Sequence, residues 1–264
     1  MATHITIALP AYGNQVSLAT FNTCTSLIQM FMSKGIQGAI AAFSYPEVAE
    51  ARNILLSAWY DAMPTSSHLL FVDSDMGFTP ELVLDLLTFN EPMVGALYTR
   101  KCIPIQWAAS GLGDDFAERR GDFMKVAGLG MGCFLIRRDA IDVMIEKMPE
   151  LIDKRMQFHA AKDLIPNRII RAFDGFDNPD DKTAGRLSED LAFCCRWRQC
   201  GGEVWAAMHH TVEHVGNYSY KGNYLEHITA KIAAGEAPPQ PTTLVDAVKQ
   251  MAAGDPNAIK QAAE

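Results

Sequence analysis

The chain has 264 residues, 48% of them hydrophobic and 20% charged, and carries a formal net charge of −8. That length fits one large α/β domain or two small ones, and the apolar share excludes a disordered body. The acidic balance argues against general nucleic-acid or anionic-membrane binding, although a local basic cleft needs only a few side chains.

From Met1 the chain enters a short apolar run with no basic lead, which does not read as a secretory signal. No apolar run reaches the roughly 18 residues of a membrane span. The six cysteines form neither a CxxC pair nor a disulfide-like ladder, so a cytoplasmic chain with reduced thiols is expected. Ile5–Leu9 reads as a buried strand stopped by Pro10, followed by a turn to Asn14. A helix is expected from Ser17 to Lys34, with Leu18, Phe21, Leu27, Ile28 and Phe31 on its apolar face and Gly35 closing it. Ala39–Phe43 is a second strand. Ser44 and Glu47 then read as a capping box for a helix that carries Arg52 and Asn53 and ends near Met63.

His68–Asp73 is the third strand, Thr79–Pro80 opens another helix, and Met93–Leu97 is a further strand. Strand and helix alternate, which predicts an α/β fold with a mostly parallel, Rossmann-like sheet covered by helices on both faces. The second half is less regular. Met131–Ile136 is a strand and Asp139 caps the helix after it; residues 154–185 read as a long loop of the kind that forms lids. Ser188 caps a helix through Cys200, and short strands are expected at 204–207 and 211–214. Residues 236–264 read as a Pro-rich linker and one amphipathic helix, where Leu244, Val245, Val248 and Met251 suit self-association into a homo-oligomer.

The strongest chemical signal is Asp73-Ser74-Asp75. Two carboxylates at i and i+2 lie on one side of an extended backbone. At the carboxyl end of a strand in an open sheet they suit a hard divalent cation, and through it a diphosphate. The plainer reading is a polar strand end. Ser188-Glu189-Asp190 puts two acids in a first helical turn, where they also simply complement the helix dipole. His214 ends a short strand; a lone His is commonly a satisfied core residue. Gly128–Gly132 lacks the Lys-Ser/Thr of a phosphate loop and precedes a strand. Cys194, Cys195, Cys200, His209, His210 and His214 lack the paired spacing of a zinc site.

Taken in order, these pieces resemble the GT-A fold glycosyltransferases, and specifically the soluble family 2-like members of bacteria and phages. The resemblance rests on Pro10-Ala11-Tyr12, Ala51-Arg52-Asn53, Phe71–Asp75, Ser188–Trp197, Gly201–Trp205 and His214-Val215-Gly216. It implies one domain over 1–235, with a donor-binding half to about residue 100 and an acceptor half beyond it. It implies a nucleoside-diphosphate sugar as donor and Mn²⁺ or Mg²⁺ as cofactor, with Asp75 and His214 as ligands beside Asp73. Pro10 and Tyr12 would meet the nucleoside, Arg52 the base or diphosphate, and Asp73 with Ser74 the sugar or ribose. Asp190 matches the base of inverting members, with Glu189 orienting it or touching the acceptor. The Gly128–Gly132 turn would line the acceptor side.

Arg196-Trp197-Arg198 is only a partial echo of the Gln-x-x-Arg-Trp motif, so processive synthesis is not expected. The acceptor is left open: a saccharide, a lipid-linked or protein acceptor, or a hydroxymethylated DNA base, which the acidic balance counts against unless Arg100, Lys101, Arg119, Arg120, Arg137 and Arg138 form a local basic rim. Two alternatives remain: a sugar-1-phosphate nucleotidyltransferase, disfavoured because Pro10–Asn14 carries no basic residue, and a non-catalytic nucleotide-sugar-binding module.

Overall fold

The computed structural model describes residues 3–111, 118–155, 168–179 and 185–234. The expected C-terminal linker and helix lie outside them. Strand β1 (His4–Pro10) leads through a 3₁₀ turn to α1 (Leu18–Ser33), β2 (Gln37–Phe43), α2 (Val48–Ala62) and β3 (His68–Val72). Next come a two-residue strand β4 (Met76–Gly77), α3 (Pro80–Phe89) and β5 (Met93–Ala96). Four short strands follow: β6 (Ala109–Ser110), β7 (Arg119–Arg120), β8 (Phe123–Val126) and β9 (Gly128–Leu129). The remainder is β10 (Cys133–Arg137), α4 (Arg138–Lys147), the pair β11 (Ile152–Asp153) and β12 (Ile169–Ile170), α5 (Glu189–Gln199), β13 (Val204–Ala207), β14 (Val212–Val215), β15 (Ser219–Gly222) and α6 (Tyr224–Ala233).

The main sheet has the order β2-β1-β3-β10-β5-β13-β8-β7. β10 and β8 run against the other strands, so the sheet is mostly parallel by direction. Side chains alternate between two cores, as the period of two in a strand demands. On one face Leu69 and Phe71 of β3 and Phe134 and Ile136 of β10 pack against α2, α4, α5 and α6. On the other, Leu70 and Val72 join Ile5, Ile7 and Leu9 beneath α1 and α3. Each such side chain removed from water stabilises the fold by about 1.5–3 kcal/mol.

Local capping departs from expectation at three helices. α1 is capped by Ser17, whose Oγ accepts from Thr20 N at 3.1 Å. The capping box at Ser44 does not form: α2 starts after Glu47 without a side-chain cap, and Ser44 Oγ accepts instead from Asn14 N in the turn after β1. Asp139 lies inside the first turn of α4, where Arg137 grips it through Nε at 2.8 Å. Ser188 occupies the cap position of α5, yet its hydroxyl turns to Asp190 and makes no capping bond to a backbone amide.

The stretch expected as one long loop is partly core. Ile169, Ile170, Ala172 and Phe173 are buried, and the Phe173 ring stacks on Phe193 at 4.4 Å. Asn53, buried on α2, holds this segment by accepting from Phe173 N at 2.9 Å and donating to Asp174 Oδ1 at 2.7 Å. Residues 156–167 and 180–184 of that stretch lie outside the described residues.

Candidate functional site

The site gathers at the carboxyl ends of β1, β3 and β5. The register Ala8↔Phe71 between β1 and β3 sets Pro10 level with Asp73. The first turn of α1 then fixes the backbone that follows: Ser17 N donates to Ser74 O at 2.7 Å, and Thr20 Oγ1 donates to Met76 O at 2.9 Å. Asp73, Ser74 and Asp75 are thereby presented as a rigid turn.

Arg52 organises the inner side of this turn. Its guanidinium is 3% exposed and forks between two carboxylates, with Nη2 2.7 Å from Asp73 Oδ1 and Nη1 2.7 Å from Glu189 Oε1. Burial pushes both carboxyls above their ordinary pKa, against the pull of Arg52. Arg52 itself stays charged: burial opposes the charge, and Asp73 and Glu189 together outweigh it. Engaged in this way, the Arg52 guanidinium ties α2 to Asp73 and to Glu189 of α5.

The outer side carries a second constellation. Asp75 Oδ2 accepts from Lys101 Nζ at 2.5 Å, and Asp75 Oδ1 lies 3.5 Å from His214 Nε2. Burial works against the Asp75 charge, yet the hydrogen bonds from His214 and Lys101 hold its pKa below the usual range. β14 pairs antiparallel with β4 in the register His214↔Met76, and Val215 N donates to Asp75 O at 2.7 Å. Backbone pairing, not side-chain flexibility, therefore sets the approach of His214 to Asp75. On its far side the ring is anchored by Nδ1, which lies 2.9 Å from Thr99 O. A carbonyl only accepts, so Nδ1 carries a proton; in the protonated ring Nε2 also donates to Asp75, and in the neutral ring the Nε2 lone pair faces the carboxylate. Asp75 and His214 are the two residues here that could hold a cation, with the outer hydrogen bond orienting the imidazole as it does in metal sites.

Asp190 stands in the first turn of α5 beside Glu189. Its contacts fall on one oxygen: Ser188 Oγ and Leu191 N, the latter at 2.8 Å, both donate to Oδ1. The charge of Asp190 is felt at Asp73, Arg52 and Tyr98, which ties it electrostatically to the same centre. Tyr98, buried after β5, was not singled out in the sequence. Its hydroxyl accepts from Gly132 N at 3.2 Å and its ring meets His214 edge-on at 5.4 Å. Burial raises its pKa strongly, so it remains a neutral phenol.

Beside this centre lies an apolar cleft of about 340 Å³ lined by Pro10, Tyr12, Tyr45, Pro46, Val48 and Ala51. Tyr12 is 73% exposed at its edge. Ala51 adjoins Arg52 on α2, so cleft and carboxylates are contiguous. Tyr45 has no motif around it and carries no sequence signal of its own.

Two sequence expectations are corrected. The glycines at 128–132 do not open onto an acceptor surface: a Cβ at Gly130 or Gly132 would meet the Tyr98 ring, and one at Gly128 would meet Leu191 of α5. Three of the six residues expected to form a basic rim, Arg120, Arg137 and Arg138, are engaged elsewhere. Arg137 pairs in register with His68 at the start of β3, the opposite end of the sheet from Asp73. Arg138 donates to the carbonyls of Trp59, Tyr60, Met63 and Ser66, and Arg120 pairs with Glu91 and Glu203. The Arg196-Trp197-Arg198 run is likewise structural, with Arg196 donating to Ala172 O and Trp197 Nε1 to Glu203 O, each at 2.8 Å.

The sheet order, with helices on both faces, is that of a mostly parallel, Rossmann-like α/β fold. No family model matches the chain, and no curated protein matches it. Among solved structures it is similar to the A197 protein from STIV, with 17% identity, a TM-score of 0.44, and coverage of 81% of this chain and 86% of that one. It is also similar to a glycosyltransferase involved in the glycosylation of the major capsid of PBCV-1, with 14% identity, a TM-score of 0.33, and coverage of 55% and 64%. A third is a mutant Drosophila beta-1,4-galactosyltransferase 7 in complex with manganese, UDP-Gal and xylobiose, with 11% identity, a TM-score of 0.40, and coverage of 84% and 71%. No described helix is long and apolar enough to cross a membrane.

Proposed function

We propose that the chain is a metal-dependent glycosyltransferase of the family 2-like type, which moves a sugar from a nucleoside-diphosphate donor to an acceptor hydroxyl with inversion, one sugar per encounter. The observation that carries this reading is the His214 ring, fixed by Thr99 so that Nε2 faces Asp75. Imidazole and carboxylate together suit Mn²⁺, with Mg²⁺ as the harder substitute. The bound cation supplies Lewis-acid stabilisation of the departing diphosphate.

The rest falls to the chain's own residues. The cleft of Tyr12, Tyr45 and Pro10 takes the nucleobase between aromatic faces. Asp73, steadied by Arg52, accepts hydrogen bonds from ribose or sugar hydroxyls. Lys101, paired with Asp75 Oδ2, would offer its ammonium to the donor's phosphates. Asp190 takes the acceptor's proton on Oδ2 while its Oδ1 is held by Ser188 and Leu191. The acceptor oxygen then bonds to the anomeric carbon as the anomeric C–O bond to phosphate breaks, and the nucleoside diphosphate leaves.

The test is a screen of nucleotide sugars with purified protein, with and without Mn²⁺, reading the released nucleotide. Nucleoside diphosphate released only with metal supports the proposal. Nucleotide sugar made or split with pyrophosphate would identify a nucleotidyltransferase, and binding without turnover a non-catalytic module.

A further inference from the structure

A second cluster of metal-ligating side chains lies outside the site above and joins residues far apart in the chain. Asp85, in α3, meets His209 and His210, which follow β13. His210 Nε2 lies 2.8 Å and His209 Nε2 3.1 Å from the same oxygen, Asp85 Oδ2. The two rings lie 4.1 Å apart, tilted by 47°. Three ligand atoms from three side chains thus converge, all within 4.8 Å of one another.

Zinc holds imidazole nitrogen and carboxylate oxygen at about 2.0–2.2 Å, so neighbouring ligand atoms around a tetrahedral ion sit roughly 3.3–3.6 Å apart. The two nitrogen–oxygen separations of 2.8 and 3.1 Å need only a small outward shift to admit the ion. Two imidazoles with one carboxylate favour a borderline transition metal over Ca²⁺ or Mg²⁺. Glu81 stands one helical turn before Asp85 on the same face of α3, and its charge acts on His210.

The cluster sits at a junction. His209 O accepts from Asn223 Nδ2 at 2.8 Å, and the Asn223 side chain caps α6. Met208 accepts from Leu225 N at 2.9 Å and donates to Asp122 O at 3.0 Å. Four residues beyond His210 the same backbone delivers His214.

We propose that Asp85, His209 and His210 form a structural zinc site, separate from Asp75 and His214, that clamps α3 to the connection between β13 and β14. The site takes one Zn²⁺ through His209 Nε2, His210 Nε2 and Asp85 Oδ2, with water or Glu81 completing the sphere. It holds the segment from which β14 starts, and so the height of His214.

The experiment uses the full chain carrying Asp75→Asn and His214→Ala, which disables the other cation seat. After chelation and dialysis, Zn²⁺ is titrated by calorimetry, and Co²⁺ by its visible absorption. The expected result is one Zn²⁺ per chain, a Co²⁺ spectrum of nitrogen and oxygen ligation, and a rise in melting temperature with Zn²⁺. Adding His210→Ala or, as the milder change, Asp85→Asn should weaken Zn²⁺ binding roughly 100-fold, since each removes one of three protein ligands. Circular dichroism at 25 °C checks that each variant is folded. Zinc that fails to bind the Asp75→Asn, His214→Ala chain, or that binds equally after Asp85→Asn, overturns the proposal. The cluster is then a carboxylate accepting two imidazole N–H bonds.

Discussion

Replacing Arg52 by Met removes one buried cation and leaves two half-buried carboxylates facing its place. Arg52 is 3% exposed, and Asp73 and Glu189 are 24% and 22% exposed, so water reaches the pair only from one side. Breaking a buried ion pair by taking one partner away costs about 3–5 kcal/mol, because the charge left behind is uncompensated. At about 2–4 °C per kcal/mol for a domain of this size, the melting temperature should fall by roughly 10 °C at pH 7.5. The cost has a pH signature. Asp73 and Glu189 already have folded-state pKa values above 3.8 and 4.5, so their contribution to stability is fullest below those values and is lost as the pH rises through the raised ones. Loss of Arg52 raises both further. Urea unfolding of both proteins across the acid range should therefore show the deficit greatest at neutral pH and narrowing as the pH falls toward 4. A deficit under about 1 kcal/mol at pH 7.5, the size of an exposed pair, would refute the claim that Arg52 is the buried cation of this site.

Asp190→Asn should lower turnover by roughly 10²–10⁴-fold while leaving donor affinity unchanged, since Asn keeps an acceptor for Ser188 and Leu191 but takes no proton. Steady-state kinetics beside calorimetric donor binding checks this, and near-normal turnover removes Asp190 as the base. Tyr12→Ala should weaken nucleoside diphosphate binding by the roughly 1–3 kcal/mol of a base stacked on an aromatic ring. Its melting temperature should barely change, because the side chain is 73% exposed; unchanged affinity would move the nucleobase out of the cleft.

The strands of the first hundred or so residues and the Asp73–Asp75 turn were legible because they depend on local pattern: apolar runs, a Pro stop, and carboxylates two apart. The site's internal wiring was not. Nothing near Arg52 in sequence announces that Glu189, 137 positions away, will share its guanidinium. The cap at Ser44 failed because its hydroxyl accepts from the Asn14 amide across the turn, a tertiary choice that propensity does not encode. β4, β6, β7 and β9 have two residues each, too short for any period to register, yet β4 pairs with the strand bearing His214. The stretch around Phe173 looked like loop because its neighbours are Asp, Asn, Pro and Gly; Asn53 and the Phe193 ring hold it in the core. His209 and His210 were visible as a pair, but their third partner, Asp85, lies 124 and 125 residues earlier.

The cation seat between Asp75 and His214 is tested most directly by calorimetric titration of a nucleoside diphosphate into the protein, with and without Mn²⁺, and again with Asp75→Asn. Binding should be strong only with Mn²⁺, and the Asp75→Asn protein should lose that metal-dependent increment while keeping its fold. Nucleoside diphosphate that binds the native chain equally well without Mn²⁺, or whose metal-dependent binding survives Asp75→Asn, would contradict the seat.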